Sequence, residues 1–254
     1  HWLVLTLSLA LTFIAWFFSK SQHERRIEEE FNMDSKQIVD IVHERMNSYA
    51  DSLWAGVAFY QAQDTSVTNK EWKLFAEALN LESRYPGIHG IGVIYHLDES
   101  ELTQFLKDQK AQRPNFHVHP KVKDGDYWPI TYITPEAGNE EAIGLDISYE
   151  VNRLKAASLA AKTGEAKITG PITLVQDQNR NPGFLFYAPI HSKTNKFIGH
   201  VYAPFVVSKL IYGVLHQGTR NINFSLSDDE SLLYNEHVRE EDEPLYSTQI
   251  NLDL

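Results

Sequence analysis

Cysteine is absent from the 254-residue chain, which excludes disulfides, a thiolate nucleophile and any cysteine-based zinc site. The absence leaves the compartment open, because a chain of this length buries enough core to stand without cross-links. A surplus of positive charge is missing too: the formal net charge is −11, and the Lys and Arg residues are scattered and form no stripe. Such a chain lacks the main driving force for binding nucleic acid. No G-x-S-x-G elbow, no Walker loop and no H-E-x-x-H helix occurs, so no catalytic residue, no metal and no cofactor is assigned. Gly87, Gly90 and Gly92 are spaced G-x-x-G-x-G and run into a strand-like segment, whereas a dinucleotide loop opens a helix. They read as a turn feeding a strand.

What the sequence does carry begins at its N-terminus. Trp2 to Phe18 contains no charged residue, no proline and no glycine. Residues 1–18 are read as a transmembrane helix shortened at its N-terminal end, since a full span takes ~20 apolar residues. The alternative is a cleavable signal peptide, but the run ends in bulky Trp16, Phe17 and Phe18, and Ser19 and Ser21 offer a poor cleavage site. Lys20, Arg25 and Arg26 weigh toward the cytoplasm. Glu24 and Glu28 to Glu30 sit among them, and long domains translocate largely regardless of such charges.

From Ser19 to Ala55 there is again neither glycine nor proline. Apolar residues at Phe31, Ile38, Val42, Met46, Tyr49, Leu53, Val57 and Tyr60 trace one helical face. Residues 19–62 are read as a stalk helix of roughly 60 Å, the alternative being two shorter helices broken near Asp34 and Ser35. The stripe needs a cover, from the domain that follows or from a second copy of the chain.

Beyond residue 62 the periodicity alternates between helix and strand. Thr68 with Glu71 and Asp98 with Glu101 are spaced as capping boxes opening helices. Strands are expected at Ile88 to Tyr95, Phe116 to Val122, Tyr127 to Thr134, Ala166 to Val175, Gly183 to Ile190 and Phe197 to Val207. An Ala-rich helix from about Glu150 stops at Gly164. A short helix near Ser208 to His216 precedes strands at Asn221 to Leu226, Ser231 to Tyr234 and Leu245 to Leu252. Helices grouped between antiparallel-looking strands mean an α+β fold.

Several segments, read in order, resemble the CHASE family. They are Tyr85-Pro86-Gly87-Ile88-His89-Gly90-Ile91-Gly92, Tyr127-Trp128-Pro129-Ile130, Gly144-Leu145-Asp146, Ala161-Lys162-Thr163-Gly164 and Gly170 to Gln176 (GPITLVQ), followed by Gly183 to Ile190 (GFLFYAPI). No single tripeptide is specific; the order and spacing over roughly residues 60 to 207 carry the likeness. CHASE domains are sensory modules outside the membrane in bacterial histidine kinases and nucleotide cyclases, and in plant cytokinin-receptor kinases. The resemblance implies a long N-terminal helix and two tandem PAS-like units with antiparallel sheets. The division expected is 63–178 for a membrane-distal, ligand-binding unit and 179–254 for a membrane-proximal one. It also implies a homodimeric receptor in the inner (cell) membrane, its sensor in the periplasm or extracellular space. A second transmembrane helix and an output domain, a histidine kinase or a diguanylate cyclase, would lie beyond this sequence. The region itself would be no enzyme.

The ligand implied is a small molecule. In the cytokinin receptors an aspartate shortly before the corresponding Tyr-x-Pro reads the adenine ring, which points here to Asp126 first and Asp124 second, with Tyr127 beside them. A carboxylate at the mouth of an apolar pocket accepts N–H groups well, although a solvated turn carboxylate explains the same residues. Tyr132, Ile168 and Leu174 would supply apolar walls, and plain core explains them equally. Asp146 reads as a helix N-terminal or loop-ordering residue. His117 and His119 share a strand face if extended, but the sequence fixes no third metal ligand beside them. Two rival readings remain: a periplasmic protein-interaction module without a small ligand, and a membrane-anchored enzyme.

Overall fold

The computed structural model describes residues 2–63, 66–120, 125–175, 181–215, 222–228, 231–236 and 244–250. Helix α1 (Trp2–Ala62) runs unbroken for 61 residues, roughly 90 Å at 1.5 Å per residue. Neither glycine nor proline interrupts it before Gly56, and Asp34 and Ser35 start no second helix. Among the described residues α1 is the one helix long and apolar enough to cross a membrane, and its apolar stretch is unburied by the protein.

The shorter helices start and stop where the capping chemistry puts them. Helix α2 (Asn69–Ala78) opens on a capping box in which the Thr68 amide donates to Glu71 Oε2 at 2.8 Å and the Glu71 amide to Thr68 Oγ1 at 3.3 Å. One turn, α3 (Leu81–Arg84), follows, and α4 (Glu99–Gln112) opens on the Asp98–Glu101 box. Helix α5 (Val151–Thr163) ends at Gly164 with φ of 73°, a left-handed C-cap. Helix α6 (Val207–Leu215) closes the series.

The strands are β1 (Ile91–Tyr95), β2 (Ile130–Thr134), β3 (Lys167–Ile168), β4 (Ile172–Thr173), β5 (Pro182–His191), β6 (Phe197–Val206), β7 (Ser225–Asp228) and β8 (Ser231–Asn235). The first six form one antiparallel sheet in the order β2-β1-β6-β5-β3, with β4 also on β5. The strands β7 and β8 make a separate hairpin, packed on α6 through Leu233, Val207 and Ile211. The result is α+β, as expected.

The two faces of the sheet are covered differently. One face takes α1 and α2: Leu53, Val57 and Trp72 pack on Ile91, Val93, Val201 and Ala203, and further along Val42, Met46 and Tyr49 meet Phe205 and Leu210. The Trp72 indole donates to the Ile91 carbonyl at 3.1 Å, which satisfies its buried N–H. Gly56 brings α1 close, since a Cβ there would stand 3.0 Å from Val201 Cγ1 and 3.1 Å from the Trp72 ring. The other face takes α5 through Ala156, Ala157 and Ala160, which pack over Leu185, Tyr187 and Tyr202.

Of the two covers open to the stalk stripe, the chain's own domain supplies it, with Val42 and Leu53 4% and 0% exposed, so a pairing of two copies would have to use another face of α1. Other expectations change. The division at 178/179 cuts through the sheet, because β5 and β6 pair with β3 and β1. Among the described strands β7 and β8 lie outside that sheet. Within 116–120 there is no strand, only a bridge from His119 to Leu145, and 244–250 carries none.

Candidate functional site

The face of the sheet under α5 carries polar side chains where a plain core would be apolar. Along β6 the alternation that sends Val201 and Ala203 to the stalk sends His200 and Tyr202 to this side. Tyr187 on β5 is the direct cross-strand partner of Tyr202, so the two phenols stand side by side. Gly92 on β1, also opposite Tyr202, makes the room: a Cβ there would strike the Tyr202 ring and the Tyr132 carbonyl. From α5 comes Arg153, 3% exposed, and from the loop before it Asp146, 0% exposed.

These groups are buried and incompletely paired. Among the described residues Tyr187 Oη, Tyr202 Oη, Arg153 Nε and Asp146 Oδ2 have no hydrogen-bond partner, and the His200 ring has no side-chain partner, the Ala157 backbone being the polar group near it. Each such group costs about 1–3 kcal/mol, and native proteins hold only a few per hundred residues. Here they share one face. Burial pushes both phenols well above the ordinary tyrosine range, and the Arg153 guanidinium partly opposes that for each. Burial drives the His200 imidazole down to about 3, with His96 and His191 adding to the effect and the nearby Ala157 backbone opposing it. His200 is thus neutral.

An aromatic cluster extends from this buried polar layer, the chamber side of the sheet, toward the surface. The Trp128 ring stacks on His200 at 5.6 Å between centroids, and Phe197 meets His200 edge-on at 5.1 Å. His96 lies 4.4 Å from Trp128 on its outer side. His96 Nε2 is 2.9 Å from Asp126 Oδ2, a half-exposed carboxylate. The Trp128 amide donates to Asp146 Oδ1 at 3.1 Å and the Ser148 amide to the same oxygen at 3.0 Å. Asp146 therefore orders the loop as expected, and its second oxygen remains available.

The residues singled out in the sequence divide between places. Asp126 sits at the rim, tied through His96 to Trp128, and half-buried Tyr127 pairs with Leu97 through its backbone. Leu174 is on the chamber side. Tyr132 points to the opposite face, where its hydroxyl donates to the Val67 carbonyl at 3.1 Å and accepts from Gln109 at 3.4 Å. Ile168 packs there too, against the cluster of Val42, Met46 and Tyr49. Asp124 lies outside the described residues. His119 is engaged at 3.2 Å with the Ile143 carbonyl. The sequence reading missed Arg153, Tyr187, His200 and Tyr202; the available clue was polar residues recurring on one face of strands otherwise apolar.

Two other features compete less well. Arg113 Nε and Nη1 are also buried without partners, but its guanidinium lies over the Phe116 and Tyr132 rings at 4.8 and 5.3 Å and donates to Gln109 and Thr131. An open groove of about 700 Å³ runs between α1 and the C-terminal hairpin, lined largely by apolar residues such as Phe31, Ile38 and Phe224.

The fold is similar to that of an extracellular ligand binding receptor from Desulfohalobium retbaense, at 13% identity, TM-score 0.53, over 79% of this chain and 30% of that one. At such identity the likeness concerns the fold alone. Two further structures match at lower scores. The periplasmic sensory domain of the Campylobacter jejuni chemoreceptor Tlp1 has 14% identity and TM-score 0.45 over 74% of this chain and 62% of that one. A methyl-accepting chemotaxis protein X has 16% identity and TM-score 0.42 over 74% and 64%. The chain spans less than two thirds of each of these proteins. No curated protein matches it by sequence. The family model for the CHASE domain matches residues 65–243, which takes in the whole six-stranded sheet, the chamber and the hairpin: the chain belongs to the CHASE domain family of extracytoplasmic sensors.

Proposed function

We propose that this chain is the sensing region of a membrane-tethered receptor that binds a small molecule in the chamber between the sheet and α5. The observation that carries the reading is the set of buried polar groups on that face without protein partners, since such groups are costly unless something else engages them. On this reading Asp126 and His96 stand at the mouth, and the apolar start of α1 is the membrane anchor. The output, a histidine kinase or a diguanylate cyclase, is attached outside this chain.

The architecture supports a route for the signal. Strand β6 presents His200 and Tyr202 to the chamber and Val201 to Gly56 of α1 on its other side. A ligand that moves the Tyr202 ring therefore shifts a strand that the stalk helix approaches closely at Gly56. It biases the receptor only by its differential affinity for the two arrangements.

The test is a thermal-shift screen of small metabolites on the full chain in detergent, with Tyr187→Phe/Tyr202→Phe as the control. A specific ligand at about 100 times its Kd stabilises by ~2.7 kcal/mol. The expected outcome is a compound that raises the melting temperature of the wild type and not of the double variant. Stabilisation by a periplasmic protein alone, with every compound inert, would favour the interaction-module reading instead.

A further inference from the structure

The chamber's polar inventory is lopsided in a way that selects ligand chemistry. Tyr187 and Tyr202 are directly opposed on β5 and β6, wholly buried, and their hydroxyls are unpartnered. Arg153 reaches this face from the first turn of α5. Its Nη2 donates to the Thr173 carbonyl at 3.1 Å, while its Nε–H donates to nothing. The carboxylate beside it, Glu150, stands 3.9 Å away with its oxygens already accepting the Asn152 and Arg153 amides at 3.0 and 2.9 Å. Among the described residues Asp146 makes no ion pair with Arg153; it is tied instead to the amides of Trp128 and Ser148. One buried positive charge with a free N–H thus stands beside two free hydroxyl donors.

A buried charge is costly unless paired and hydrogen-bonded. A carboxylate group meets these donors at once, because its two oxygens accept from Nε–H and from both phenols, and its charge faces a guanidinium whose ion pair with Glu150 is long, at 3.9 Å. A neutral amide offers one acceptor oxygen where three donors converge, and a cation adds to the guanidinium's charge. The chain's net charge of −11 gives an anion no long-range attraction, so selection is local. Resting on the chamber being the ligand site, we infer that the sensed molecule is a small organic carboxylate, held at its carboxylate group by Arg153, Tyr187 and Tyr202.

The experiment titrates the full chain in detergent calorimetrically with acetate, propionate, lactate and succinate, and with the amide of each. Wild type is compared with Tyr187→Phe, Tyr202→Phe and Arg153→Met. At least one acid should bind, its amide at least tenfold more weakly. Each Tyr→Phe variant should lose about tenfold in affinity, the low end for a hydrogen bond to a charged group. Both should match or exceed the wild-type melting temperature, because the deleted hydroxyl bonds to nothing among the described residues. Those two variants carry the test if Arg153→Met fails to fold. An amide that binds as tightly as its acid, and is still weakened by Tyr202→Phe, overturns the carboxylate and leaves the chamber as the site. Acid binding indifferent to all three substitutions overturns the chamber as well. Failure of all four acids to bind at millimolar concentration overturns the carboxylate inference.

Discussion

Buried neutral His200 makes stability depend on pH in a calculable way. In the unfolded chain the imidazole takes up its proton near pH 6.5, whereas in the fold burial holds it neutral down to about 3. Between those values the unfolded state binds more protons than the native one, so stability falls as pH falls, at up to ~1.4 kcal/mol per pH unit. From pH 7 to pH 4.5 the loss assigned to His200 is about 3 kcal/mol. Other groups in the chain titrate over the same range. The informative quantity is therefore the difference between wild type and His200→Phe, whose ring suits a wall of Trp128, Phe197 and Tyr187. Urea melts at both pH values give that difference. The variant should match or exceed wild type at pH 7, because a buried imidazole with no side-chain hydrogen-bond partner is gone, and should gain about 3 kcal/mol on wild type by pH 4.5. A difference that does not change with pH would refute the argument that the imidazole is buried and unpaired.

Leu53→Glu places a carboxylate in the core between α1 and the sheet and should abolish cooperative melting, while Leu53→Ala should cost about 2–5 kcal/mol. A Leu53→Glu chain that melts like wild type but has lost self-association would put that face between two copies after all. Thr68→Ala removes the side-chain half of a capping box and should cost ~1 kcal/mol without affecting ligand binding, read by urea melts and calorimetry. Gly92→Ala should displace the Tyr202 ring and weaken ligand binding by more than Tyr202→Phe does; unchanged binding would take Tyr202 out of the site.

The sequence was most legible where local chemistry decides structure. Both capping boxes open the helices expected of them, and Gly164 ends α5. Strands β5 and β6 also lie close to where their β-rich runs put them. What escaped was long-range pairing. Nothing local to residues 182–206 states that they join the sheet of β1 and not the strands that follow. The site was hidden for the same reason. Arg153, Tyr187 and Tyr202 are remote in sequence and are joined only by the register of β5 on β6 and the crossing of α5. Tyr132 reads equally as pocket wall or plain core from sequence, and the structure packs it on the α1 face of the sheet.

The most direct measurement is an experimental structure of the chain bound to a compound that stabilises it. That compound should lie under α5, within hydrogen-bonding distance of Tyr187, Tyr202 and Arg153, with α1 displaced relative to the unliganded chain. A compound seated instead in the groove between α1 and the hairpin, with the chamber side chains unmoved and still unpaired, would contradict it.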